Sequence, residues 1–181
     1  PVVISGCTVR NYTNRFVYVS LSGKIESLTI DDCIYIGADN STTNKAIYAS
    51  SAHTQVETLS VTNSTFLNFN TGSNYFFRIN CGEELVLMPV VLIDHCTFYN
   101  CYDRRGVYLY NAGRSTIKNC ISAFSERRDD TKSFTAYGDE SIVKNVISYN
   151  VDLYGSAPKE NIISKNPLFV DAENGNFQLY K

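Results

Sequence analysis

A short element of the form apolar, any residue, Asn or Asp, Cys, any residue, apolar recurs along the chain and constrains its fold more than any other feature. It begins at Ile4 ("ISGCTVRNY"), Ile30 ("IDDCIYIGA"), Val61 ("VTNSTFLNF"), Ile93 ("IDHCTFYNC"), Ile117 ("IKNCISAFS") and Val143 ("VKNVISYNV"), and a degenerate seventh copy starts at Ile163 ("ISKNPLFVD"). The first six anchors lie 24 to 32 residues apart, the spacing of one stacked coil in a repeat architecture. Three places after the anchor stand Cys7, Cys33, Ser64, Cys96, Cys120 and Val146, small or apolar types that suit an inward column. One place earlier stand Gly6, Asp32, Asn63, His95, Asn119 and Asn145, types that tolerate a left-handed backbone and bond to it locally. Taken alone, "IDHCTFYNC" resembles a metal or nucleophile site. Within the repeat, His95 fills a turn-asparagine slot and Cys96 a buried one, so both are expected to be scaffold.

Each copy is accompanied by two further apolar stretches. One alternates with period two, as in "FVYVSL" at Phe16, "AIYAS" at Ala46, "FFRIN" at Phe76, "VYLYN" at Val107 and "FTAYG" at Phe134, the pattern of half-buried strands. The other precedes the anchor, as in "KIESLTI" and "VETLSV". The pattern predicts an all-β chain: a single-stranded parallel β-helix of about six to seven coils with three short strands each, forming one domain over residues 1–181. Residues 164–181 leave the repeat and are expected to close its C-terminal end. The chain enters its first rung at once, so it is expected to be a C-terminal piece of a longer solenoid.

The ladder of rungs and the "NPLFVD...NGNFQL" terminus resemble the pectate-lyase-like superfamily of right-handed parallel β-helices. The likeness is greatest to carbohydrate-associated domains of secreted or surface proteins, and chondroitinase B and alginate lyases share related architecture. It implies a right-handed coil, a secreted or cell-surface location and a polysaccharide partner, an acidic one by the residues discussed below. It also implies an alternative function, β-elimination on uronate glycans by a Lys base and an Arg, with calcium as the one metal in that case. That lyase set is not found residue by residue here, so no catalytic residue, cofactor or metal is assigned. A structural spacer or adhesion stalk is a further alternative. "DDCIYIG" at Asp31 resembles a polygalacturonase segment, but the remaining motifs of that family are missing.

Composition narrows the partners. A net formal charge of −2 with interleaved acids and bases, as in "SERRDDTK", argues against nucleic acid. No run approaches the roughly 20 apolar residues of a membrane helix. Four of the six cysteines belong to the inward column, which leaves the redox state of Cys81 and Cys101 and the oligomeric state open.

Two surface columns follow from alternation. Tyr18, Tyr48, Arg78 and Tyr108 fall 30 residues apart on the outward side of the second strands. They are expected to form a strip that binds an acidic polysaccharide by ring stacking and guanidinium pairing, with Arg104 and Arg105 extending it from the adjacent corner. One residue after each anchor stand Ser5, Asp31, Thr62, Asp94, Lys118 and Lys144, where an Asp94–Lys118 ion pair is expected. That pair weighs against Lys118 as a proton-abstracting base.

Overall fold

The computed structural model describes residues 1–12, 15–19, 24–37, 45–49, 55–70, 77–79, 89–102, 107–109, 113–127 and 132–180. Among these the chain forms 19 strands and no helix. One family comprises β1 (Val2–Ser5), β4 (Lys24–Asp31), β7 (Gln55–Thr62), β10 (Val90–Asp94), β13 (Arg114–Ala123), β15 (Ile142–Tyr149) and β17 (Lys159–Ile163). A second comprises β2 (Thr8–Tyr12), β5 (Ile34–Gly37), β8 (Thr65–Asn70) and β11 (Thr97–Tyr102). A third comprises β3 (Arg15–Val19), β6 (Lys45–Ala49), β9 (Phe77–Ile79), β12 (Val107–Leu109), β14 (Lys132–Ala136) and β16 (Asp152–Tyr154). Every pairing within and between these families is parallel, and only the terminal pair β18 (Phe169–Asp171) and β19 (Asn176–Leu179) is antiparallel.

The strand order corrects the expected fold class and, with it, the superfamily likeness. A simple repeating right-handed β-helix with three short strands per coil would keep its three families in three separate ladders. Instead β13 runs unbroken from Arg114 to Ala123, pairing with β10 through its first half and with β11 through its second. The 11-stranded sheet therefore runs β1-β4-β7-β10-β13-β11-β8-β5-β2, going out along one family and returning along the other, with β15 attached at β13 and β17 at β15. The third family makes a separate six-stranded sheet. The domain is all-β and mostly parallel, built on one large sheet that loops back on itself. It is not the sequential pectate-lyase-like solenoid that the repeat suggested.

The cause lies at the corners. Asp32, Asn63, His95, Asn119 and Asn145 all take a left-handed backbone, with φ between 50° and 53°. At Asp32, Asn63 and His95 the strand stops, whereas at Asn119 and Asn145 it bends and stays in the ladder. The same residue types serve both outcomes, so periodicity alone does not distinguish a break from a fused strand.

Inside, the repeat slots are in register. Ile30, Val61, Ile93, Ile117 and Val143 pair in succession and are buried. Tyr35, Phe66 and Phe98 stack face to face at 5.0 and 4.9 Å, and the third family meets them edge-on through Phe77 and Phe134. Burying each such ring contributes about 2–3 kcal/mol. The corner slot explains its own chemistry. The thiols of Cys7, Cys33, Cys96 and Cys120 and the hydroxyl of Ser64 each donate to the carbonyl two residues back, at 2.7–3.3 Å. The carbonyls of Asp31, Thr62, Asp94 and Lys118 also accept the amides of Gly6, Asp32, Asn63 and His95 on the neighbouring corner, so the small donor adds a second bond to a carbonyl that is already paired.

Candidate binding cleft

Outside the core, the C-terminal segment builds a concave feature against the large sheet. Alternation turns Phe66 and Ser122 inward, so Leu67 and Ala123 point outward, yet they are only 3% and 1% exposed. The segment covers them. Phe169 and Phe177 meet each other at 5.0 Å and both meet Tyr99, at 6.0 and 5.8 Å, while a Cβ added at Gly175 would meet Leu67 Cδ2 at 3.9 Å.

Local polar chemistry fixes the segment's course. The Leu168 amide donates to Asn166 Oδ1 at 2.9 Å, and the Leu168 carbonyl accepts from the Tyr180 amide at 2.9 Å. Asp171 caps the turn before β19, accepting the Asn174 amide at 3.3 Å and its side-chain Nδ2 at 2.9 and 3.1 Å. Held at both ends, Leu168 adopts φ 53° while remaining 57% exposed. That conformation is rare for a bulky residue, and strained residues of this kind cluster at binding sites.

Between segment and sheet lies a cleft of about 420 Å³, within the range of small-molecule sites. Tyr99, Phe124 and Tyr149 lie on the sheet side, with Leu168, Phe169 and Tyr180 opposite. Asp171 and Glu173 add carboxylates, and among the described residues no Lys, Arg or His lines it. Sequence reasoning missed this site. The available signal was Leu67, an apolar residue on an outward slot, together with the Phe169 and Phe177 alternation that something had to bury.

The Tyr/Arg column is in register, running Tyr18, Tyr48, Arg78, Tyr108, Thr135 and Tyr154 across neighbouring strands. It is nevertheless not the expected binding strip. Tyr18 is 51% exposed and carries the Arg15 guanidinium 4.4 Å over its ring, but Tyr108 is 6% exposed and Thr135 is fully buried. The expected contact surface for an acidic polysaccharide is thus closed off at its Tyr108 end, and the carbohydrate-binding reading built on it is corrected. Alternation fixes the side of the strand on which a residue sits, not what lies over that side. The Tyr48 side chain, Arg104, Arg105 and Cys81 lie outside the described residues.

The second column is also in register, from Ser5 through Asp31, Thr62, Asp94, Lys118 and Lys144 to Glu160. Asp94 gathers a polar cluster: His95 Nδ1 at 2.7 Å, Lys118 Nζ at 3.1 Å and Asn119 Nδ2 at 2.9 Å. Partial burial raises its carboxyl. Hydrogen bonds from Asn119 and Lys118 and the neighbouring His95 and Lys118 charges outweigh that and leave it below the ordinary carboxylate range. Asp31 is lowered likewise by hydrogen bonds from Thr62 and Asn63. Lys118 is held by its ion pair with Asp94 and is not a free base. On the neighbouring corner Arg127 meets Asp152 at 3.0 Å. Among the described residues, no three His, Cys, Asp or Glu side chains converge as a metal site.

No family model matches the chain, and none of the curated proteins matches it.

Proposed function

We propose that this domain is a noncatalytic binding module whose ligand sits in the cleft between the large sheet and the C-terminal segment. The observation that carries the reading is a preformed, aromatic-lined cavity of about 420 Å³, held open by a fixed turn and a strained Leu168. Preformed concave sites with apolar walls and a few placed polar groups are the usual form of small-ligand recognition. The Asp94 and Asp152 clusters are closed on themselves by ion pairs, which favours the cleft over either. An acidic glycan would meet Asp171 and Glu173 there with no cation among the described lining residues.

Benzyl alcohol, a neutral aromatic probe, tests the reading by amide NMR titration. Tyr99, Tyr149 and Leu168 resonances should shift with one common dissociation constant while Tyr18 stays still. Ser125→Trp, which places an indole in the cleft mouth, should abolish the shifts. Equal shifts at Tyr18 and Tyr149, or none at either, would refute the cleft as the binding site.

A further inference from the structure

We infer that the natural ligand of the cleft carries an organic ammonium group, an inference that rests on the cleft being the binding site. Two independent features of the lining converge on it. The first is charge. Asp171 and Glu173 stand at the cleft, and neither has an ion-pair partner among the described residues, whereas Asp94 faces Lys118 and His95, and Asp152 faces Arg127 and Lys132. The contacts that orient Asp171 come from the Asn174 backbone amide and side-chain amide. Neutral donors fix a carboxylate's direction without cancelling its charge.

The second feature is the aromatic surface. Tyr99, Tyr149, Tyr180, Phe124 and Phe169 all border the same space. Ring faces carry negative quadrupolar density and attract cations, most strongly where water is partly excluded. A neutral apolar ligand would use the rings and leave two carboxylates facing it. An anion would use neither. A substituted ammonium, with an apolar shell and a positive centre, is complementary to both at once, and its partners would lie within a single cleft. Charge complementarity also predicts that the interaction weakens with salt.

Choline and 3,3-dimethylbutan-1-ol have the same shape and differ in charge, so their comparison isolates the inference. NMR titrations of the whole domain with each, alongside benzyl alcohol, should show choline binding about tenfold more tightly than the alcohol, equivalent to about 1.4 kcal/mol. Glu173→Gln should reduce that preference several-fold. Asp171 is left intact because it holds the turn. Equal affinity for the isosteric pair would overturn the ammonium inference and leave the cleft reading standing, as would benzyl alcohol binding with choline not binding. Failure of all three probes to move cleft resonances would remove the cleft reading itself.

Discussion

His95 occupies a corner at which its neighbours along the column use asparagine, and its side chain does something different from theirs. Asn119 donates to Asp94 Oδ1, Asn145 to Asn119 Oδ1 and Asn161 to Asn145 Oδ1, all at 2.9–3.0 Å, a ladder of amides ending on a carboxylate. His95 instead turns its Nδ1 to Asp94. His95→Asn should let the new amide reach back to Asn63 and extend the ladder, with a gain of about 0.5–1 kcal/mol, measured as a higher melting temperature. A lower one would show that the histidine pair is worth more than the missing rung. Asp94 itself predicts an acid-side slope. Its folded carboxyl lies below the ordinary value, so its stabilisation is present above the unfolded pKa of about 3.9 and disappears as pH falls through the lower folded value. Asp94→Asn should cost at most about 1 kcal/mol at pH 7, since solvent screens the pair, and nothing in acid below that folded value. Denaturant midpoints at the two pH values check it. Tyr35 offers a third case. Its ring is buried in the stack with Phe66, and burial followed by contact with the Cys33 thiol pushes its phenol far up, while its hydroxyl has no well-formed hydrogen bond. Tyr35→Phe should therefore be neutral or stabilising, and a loss above about 1 kcal/mol would mean that the hydroxyl is satisfied after all.

At the scale of strands, close approach and corner conformation set the tolerances. Gly155 follows β16 with φ 96°, and a Cβ there would lie 1.9 Å from the Ala136 carbonyl oxygen of β14. Gly155→Ala should force those strands apart and cost more than about 3 kcal/mol. Gly6 is also left-handed at φ 62°, but nothing lies within 4 Å of its missing Cβ, so Gly6→Asn should cost less than about 1 kcal/mol, matching the residue that other corners use. Chemical denaturation of both variants tests the contrast, and equal losses would break it. The corner at Gly6 was readable from the repeat, because Asp32, Asn63 and Asn119 fill the same slot. The demand at Gly155 was not, since it comes from how near another strand passes. The fusion at β13 was hidden for a related reason: Asn119 and Asn63 share a slot and a φ, and only the surrounding pairing decides that one bends within a strand and the other ends it.

Over the whole molecule, the columns were legible and their coverings were not. Inward cysteines, outward charges and the Asp94–Lys118 pair follow from slot identity. The burial of Tyr108, the looped-back sheet and the cleft depend on what packs over a face, which slot identity does not record. The buried column makes a further prediction. Cys33, Cys96, Cys101 and Cys120 are at most 5% exposed, and contact with Cys96 followed by burial raises the Cys120 thiol well above its usual range. Native iodoacetamide labelling read by mass spectrometry should leave these four untouched while Cys7 reacts, and labelling of Cys96 at the rate of Cys7 would contradict the packing. The C-terminal segment has a wider consequence. Ladder pairings join strands that are near neighbours in chain order, an arrangement that by itself lets a molecule fray progressively from one extremity. By laying Gly175 against Leu67, the tail fastens the last residues to the middle of the chain like a buckle, so peeling from that end has to begin by opening the ligand's own berth.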